Sequence, residues 1–452
     1  MGQETQDDTT QEKKNAMTGR TASDAGWHVS RYNVSAPIAD SANVAIANLF
    51  KGTCAEYSPI ELYLMSVLDE IDEHHPIIER LSKRGVIANF DELAALETMG
   101  RGSCSFSKVV SLTICPTMGC NFDCPYCFES HGHGKMTQEV QDDVIKLAER
   151  MLDAAKPETL SVTWFGGEPL LAPEVIESLT QRLMVLADEH SCDYSASIIT
   201  NGYFLTQDIV DLLDRCKVEQ AQVTVDGIGA THDATRRLAN GKGTFERIIA
   251  NLRDTKIPFK VKIRHNVHKD NRHEVGDLKQ FIKDLAASSG NELNYYTAIV
   301  SDSQTANDRG EQVNLLCDNS ALDVTLETDS TTFRGGRGHY CGANVILSVG
   351  IDEKGNLHKC WESVDKTELA YGNARDWDPA NPLATASNPD NLTVFLNTAL
   401  PLPDNECREC VWLPLCVGGC PYQRLFNQRA CINAKQDPEA FVLALHSRIK
   451  KK

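Results

Sequence analysis

The chain has 452 residues, a formal net charge of −18 and 16 cysteines. That length suits roughly two to four domains, and the acidic balance excludes a nucleic-acid backbone as the main partner. No apolar run could span a bilayer and no signal-peptide pattern opens the chain, so the sequence predicts a cytoplasmic protein with no membrane partner, in which cysteines serve metal or redox chemistry rather than disulfides.

Residues 1–25 are polar and read as a disordered tail. Residues 26–100 read as a small separate domain. Trp27–Val34 and Asn43–Phe50 have strand patterns, with Gly52 in a turn after the second. Ser58-Pro59-Ile60-Glu61 is a capping box with proline at the first helical position. A second helix runs through Ile77, Ile78 and Leu81 to a Gly85 cap, and a short third covers Asp91 to Thr98. Hairpin, helices and a short strand in that order give a winged-helix-like pattern, although a generic α+β unit fits as well.

Residues 105–300 alternate strands with helices. The strands are Val109–Cys115, Leu160–Phe165, Ser195–Thr200, Ala221–Val225, Lys260–Val267 and Leu293–Ile299. Between them lie amphipathic helices, such as the one that puts Val140, Val144, Leu147 and Met151 on one face after a Thr137 cap. Six such units predict an α/β fold: a partial (β/α)6 TIM-like barrel with its active residues at the C-terminal strand ends. Residues 301–340 read as a linker, 341–435 as a cysteine-rich domain, and 436–452 as a C-terminal helix.

Cys120-Asn-Phe-Asp-Cys124-Pro-Tyr-Cys127 follows the first barrel strand. Three thiolates so placed can hold three irons of a four-iron, four-sulfur cluster and leave the fourth iron open. Half of a zinc site is the plainer alternative. Cys115, nearby, reads as a small buried hydrophobe, as do Cys54, Cys104, Cys192 and Cys216. Trp164-Phe-Gly166-Gly167-Glu168-Pro169 ends the second strand, where glycines permit close backbone approach and a carboxylate can bind an ammonium group.

With Tyr126 before the last cysteine, this stretch resembles the radical SAM superfamily, which cleaves S-adenosylmethionine (SAM) to a 5′-deoxyadenosyl radical. The resemblance implies that Glu168 binds the SAM amino group beside Gly166 and Gly167. It also implies that Asn201, Thr224, Asp226 and their strand ends contact SAM carboxylate and ribose. Arg236 and Arg264 are either partners of the SAM carboxylate or members of structural ion pairs. His232 reads as a hydrogen-bonding core residue.

The remaining cysteines run Cys341, Cys360, Cys407-x2-Cys410-x5-Cys416-x3-Cys420 and Cys431. Seven thiolates are too many for one zinc site, and two zinc sites remain a physical alternative. Their order resembles the SPASM extension of radical SAM enzymes. By that resemblance Cys407, Cys410, Cys416 and Cys431 hold a complete outer auxiliary cluster, and Cys341, Cys360 and Cys420 hold an inner one. With the first cluster this makes three [4Fe-4S] clusters. Some family members have a further cysteine between those matching Cys341 and Cys360, and this chain has none. The inner cluster then keeps an open iron, unless Cys317 fills it. Glu362 lies two residues after Cys360, close to where sulfatase-maturating relatives place an acidic base. In those relatives the acid directly follows the cysteine, where this chain has Trp361.

The chain thus resembles, over roughly residues 27–435, a radical SAM/SPASM maturase of ribosomally made peptides. The expected reaction is a cross-link in a precursor peptide, first of all a cysteine thioether. Carbon–carbon or carbon–oxygen coupling, epimerisation and other peptide oxidation, including sulfatase-maturase-like chemistry, are alternatives within the class. An electron-transfer protein or a zinc-stabilised peptide-binding scaffold would be a different class. Expected partners are a precursor peptide, whose leader the N-terminal unit grips by strand addition, and a flavodoxin- or ferredoxin-type electron donor.

Overall fold

The computed structural model describes residues 26–132, 134–300, 341–398, 404–426, 428–429 and 431–450. The expected tail at 1–25, the linker at 301–340 and Cys317 lie outside the described residues.

The N-terminal unit holds a three-stranded antiparallel sheet in the order β2-β3-β4, and a separate pair of β1 with β5. Its strands are β1 (His28–Val29), β2 (Asn33–Pro37), β3 (Val44–Asn48), β4 (Thr53–Tyr57) and β5 (Ile87–Ala88). The sequence reading gave Trp27–Val34 as one strand, but the chain breaks after Val29. Ser30 Oγ donates to the buried Glu92 carboxylate at 2.6 Å, and the Arg31 N–H donates to the same group at 3.0 Å. These local bonds take backbone and side chain away from the ladder. The strand β4 was not expected. It returns from the turn at Gly52, which the sequence did mark.

Helices α1 (Pro59–Ser66), α2 (Pro76–Arg84) and α3 (Glu92–Ser105) complete the unit. Both halves of the Ser58–Glu61 capping box form, and α2 ends at Gly85. α3 runs on past Thr98 through Gly100 and Gly102, beyond the expected end.

The central sheet has nine strands in the order β11-β10-β9-β8-β7-β6-β12-β13-β14. Six are consecutive and parallel: β6 (Val109–Ile114), β7 (Thr159–Trp164), β8 (Asp193–Thr200), β9 (Val218–Thr224), β10 (Lys260–Val267) and β11 (Leu293–Ile299). Each lies beside its predecessor, as right-handed βα crossovers demand. The intervening helices include α4 (Gln138–Ala155), α5 (Pro173–Glu189), α6 (Gln207–Arg215), α7 (Ala230–Thr235), α8 (Phe245–Asp254) and α9 (Val275–Ser289). Val144, Leu147, Ala148 and Met151 of α4 are fully buried in the main core. Each such aliphatic side chain contributes about 1.5–3 kcal/mol of transfer free energy. This is the expected partial (β/α)6 barrel.

Its other edge holds something the sequence reading lacked. β12 (Ser348–Ile351) pairs parallel to β6, and β13 (Asn356–His358) and β14 (Gly372–Asn373) continue antiparallel. The cysteine-rich region therefore begins by extending the barrel sheet. Its first two cysteines flank strands that lie beside the strand feeding the Cys120 loop.

The C-terminal helix, Pro438–Lys450, crosses the N-terminal sheet. Val442 and Phe441 share a core with Tyr32, Ala45, Ala47 and Leu49, and Trp412 joins them. The expected separate domain is thus packed on the C-terminal region. No helix among the described residues is long and apolar enough to cross a membrane.

Candidate active site and cluster cavities

A cavity of about 610 Å³ opens at the C-terminal ends of the barrel strands. Cys120, Cys124 and Cys127 line it together with Cys341, Cys360 and Cys420. A second, smaller cavity is lined by Cys407, Cys410, Cys416 and Cys431. The ten cysteines singled out in the sequence thus fall into three sets in two cavities. Val417, Gly418 and Gly419 have left-handed φ values of 43°, 96° and 81°. This turn, cheap for glycine, lets Cys416 and Cys420, four residues apart, serve different cavities. The Arg424 guanidinium donates to Cys407 Sγ at 3.1 Å.

The cluster loop is seated by the Gly166–Gly167 turn. A Cβ on Gly166, whose φ is 101°, would lie 2.4 Å from the carbonyl oxygen of Thr117. One on Gly167 would lie 2.5 Å from Gly119 O and 2.6 Å from Met118 O. Only bare backbone fits there. The Glu168 N–H donates to Gly119 O at 2.8 Å and fastens the two segments.

Both glycines line the cavity, but Glu168 does not. Its buried carboxylate accepts from Thr200 Oγ1 and Asn201 N at 2.7 Å and from Leu170 N at 3.0 Å. Burial raises its pKa, and the Asn201 and Thr200 bonds oppose that rise. Its carboxylate thus ties the ends of β7 and β8, and its contact with the SAM amino group stays an expectation from the superfamily resemblance. Asp226 is held in a similar way. It is fully buried and off the cavity wall, and it accepts from Tyr126 OH and, at 3.1 Å, from Asn266 N.

Tyr126 does line the cavity. Its hydroxyl also accepts from Arg236 Nη1 at 2.9 Å and from Asn266 Nδ2 at 3.3 Å. Arg264 Nε donates to Asn266 Oδ1 at 2.7 Å. Asn201, Thr224, Arg236 and Arg264 line the cavity as well. His232 accepts from Asp226 N at 3.2 Å inside the core, and burial, then the Arg236 charge, hold its pKa well below 6.5.

Glu362 lines the cavity as well. Trp361 donates from Nε1 to Thr113 at 2.9 Å and lies 5.4 Å from the Phe165 ring. The sequence reading missed Glu129, which is buried, lines the cavity, and has its pKa pushed up to about 8 by burial and then by Asp365. Its carboxylate, Cys127 Sγ and a His131 ring nitrogen lie within 4.8 Å of one another. The signal was present, as Phe128-Glu129 directly follows the last cysteine of the loop. It also missed Lys359, whose burial lowers its pKa to about 7.

The donor sets suit iron–sulfur clusters. Burial raises the pKa of Cys120, Cys124 and Cys127, and takes Cys360 up to about 12. Such thiols ionise when a metal displaces the proton. Soft sulfur donors in sets of three, three and four are what clusters with open and closed iron sites need. Cys115 is packed against Met118, Phe165 and Val364 as an apolar residue. The described cysteines form no disulfide.

Residues 114–282 match the radical SAM superfamily model. The AdoMet-dependent heme synthase of Methanosarcina barkeri is 30% identical over 178 residues, 38% of this chain and 46% of that enzyme. The cysteine-type anaerobic sulfatase-maturating enzyme of Clostridium perfringens is 26% identical over 371 residues, 73% of this chain and 91% of the relative. A solved structure described as native anSMEcpe with bound AdoMet and Cp18Cys peptide superposes with a TM-score of 0.53 at 20% identity. That match covers 76% of this chain and all of the other. A [4Fe-4S] cluster and SAM are the cofactors of this superfamily, and SPASM relatives carry auxiliary clusters. The chain thus carries a radical SAM domain behind its cysteine loop, and it is similar to maturases of the SPASM type.

Proposed function

We propose that this enzyme installs a cysteine thioether in a ribosomally made precursor peptide. One observation carries the reading. The cluster-loop cysteines and the set Cys341, Cys360 and Cys420, one thiolate short of four among the described residues, line the same cavity. A peptide in that cavity meets the source of the radical and an open metal position together.

The bound cofactors supply the hydrogen-abstracting adenosyl radical and one open iron. The chain's own residues do the rest. Gly166, Gly167, Asn201, Thr224 and Arg264 line the cavity and would hold SAM there. Cys341, Cys360 and Cys420 would hold the inner cluster, at which a substrate thiol would lose its proton on binding metal. One C–H and one S–H bond break and one C–S bond forms. The hydrogen atom goes to the adenosyl group, the thiol proton to solvent, and the remaining electron to the auxiliary clusters.

A leader is gripped by the N-terminal unit, whose β2 and β4 are the edges of its sheet. Electrons come from a flavodoxin- or ferredoxin-type donor in the cytoplasm. Support for a peptide substrate also comes from a relative named as a sporulation killing factor maturation protein in Bacillus subtilis, 25% identical over 177 residues.

The test is mass spectrometry of the precursor after reaction with reconstituted enzyme, SAM and reductant. A thioether removes two hydrogens, keeps the sulfur and leaves no alkylatable thiol. Sulfatase-type oxidation, which Glu362 on the cavity wall would serve, loses the sulfur instead. Trp361 beside Cys360 supports the first outcome.

A further inference from the structure

Lys359 directly follows β13 and directly precedes Cys360. It lines the shared cavity with Cys341, Cys360 and Cys420, yet is only 4% exposed. Its Nζ donates to the carbonyl oxygens of Val345 and Ser348, at 2.5 Å each. Both carbonyls lie on the short segment that leads from Cys341 into β12.

Buried lysines ordinarily face a carboxylate, because an uncompensated charge in the interior costs several kcal/mol. Lys359 forms no ion pair with any described carboxylate. Glu362, three residues on, acts on Cys360 instead. Two backbone carbonyls satisfy hydrogen bonds but do not neutralise a cation.

A four-iron core on three thiolates supplies what is missing. It is a net anion, and it gains a further negative charge on reduction. A fixed cation beside it stabilises the reduced form most, and so raises the reduction potential. We propose that Lys359 is the built-in counter-ion of the inner auxiliary cluster and tunes that cluster to accept the electron left after the cross-link forms. This rests on the inner-cluster assignment made above.

The test is a redox titration followed by electron paramagnetic resonance. The full chain carries Cys120→Ala, Cys124→Ala and Cys127→Ala, so that only auxiliary clusters titrate. The outer cluster, in its own cavity, is the internal reference. Lys359→Gln keeps a hydrogen-bond donor and removes the charge. It should lower the inner cluster's reduction equilibrium constant at least tenfold, a drop of 59 mV for one electron, and leave the outer cluster unmoved. Lys359→Arg should keep the potential near that of the parent.

An unchanged potential in Lys359→Gln would overturn the proposal. So would loss of the inner cluster in both variants, since shape rather than charge would then matter. Loss in Lys359→Gln alone, with the cluster and its potential kept in Lys359→Arg, supports it. Iron counting separates this from failure of the underlying assignment. If Cys360→Ala binds as much iron as its parent, there is no inner cluster to tune.

Discussion

The Cβ that Gly167 lacks would sit 2.5 Å from the carbonyl oxygen of Gly119. The glycine turn and the cluster loop are therefore in backbone contact, and the loop that presents Cys120 cannot move without the turn. Gly167→Ala should displace that contact at a cost of about 1–3 kcal/mol. Because the turn also lines the SAM cavity, SAM binding should weaken at least about tenfold, which is about 1.4 kcal/mol. Equilibrium dialysis of the reconstituted variant measures this. Binding as tight as the parent's would show that the contact relaxes freely.

The ring of Trp412 meets that of Phe441 edge to face at 5.2 Å, and both pack on the N-terminal sheet. Phe441→Ala should cost about 3–5 kcal/mol, concentrated where the C-terminal helix crosses β2–β4. Hydrogen exchange should quicken in those strands and in the Cys407–Cys416 loop together, while the barrel strands stay protected. Faster exchange in the strands alone would show that the outer-cluster loop is independent of the N-terminal unit.

His232 bears on acid stability. Burial, then the Arg236 charge, lowers its pKa in the folded protein. A histidine with a depressed folded pKa binds its proton more readily unfolded. Its contribution is thus complete above about 6.5, the unfolded value, and is lost as pH falls from there toward the folded value. One such proton costs about 1.4 kcal/mol per pH unit. The stability gap between wild type and His232→Gln should narrow across that range in denaturant titrations. A gap that stays constant would mean that the imidazole is charged in the fold.

Much of this architecture was legible in the chain, for identifiable reasons. Lys260–Val267 and Leu293–Ile299 were read residue for residue. The first opens with polar and apolar residues in alternation, and the second is rich in strand-forming Tyr, Thr and Ile. The capping box at Ser58 was equally plain because it is local chemistry. β4 was missed because Thr53-Cys-Ala-Glu-Tyr57 is short and mixed, and its pairing depends on β3. β12–β14 were missed because cysteine spacing drew the eye and the strands have only two to four residues. At the site, the cysteine sets came from the resemblance to the SPASM pattern. The hydrogen bonds that Glu168 and Asp226 make inside the fold were not legible, since a motif names residues but not their partners. Lys359 and Glu129 carry no motif, and only burial reveals them.

The outer set should be separable from the others. Cys410→Ala removes one of four thiolates from the second cavity and should lower iron content by about one cluster of four irons. SAM cleavage without peptide should continue, because Cys120, Cys124 and Cys127 stand in the other cavity. Iron assay and 5′-deoxyadenosine yield are measured together. Loss of basal cleavage would show that the two cavities are not independent.

The most direct test of the whole account couples two readings in one reaction. Reconstituted enzyme, SAM, reductant and the cognate precursor are combined, and 5′-deoxyadenosine and peptide mass are followed. The account predicts one 5′-deoxyadenosine formed for each pair of hydrogens lost from the peptide, with the cysteine sulfur retained and its thiol consumed. Cys124→Ala should give neither product. A peptide modified at the wild-type rate by Cys124→Ala, or 5′-deoxyadenosine formed with the precursor unchanged, would contradict it.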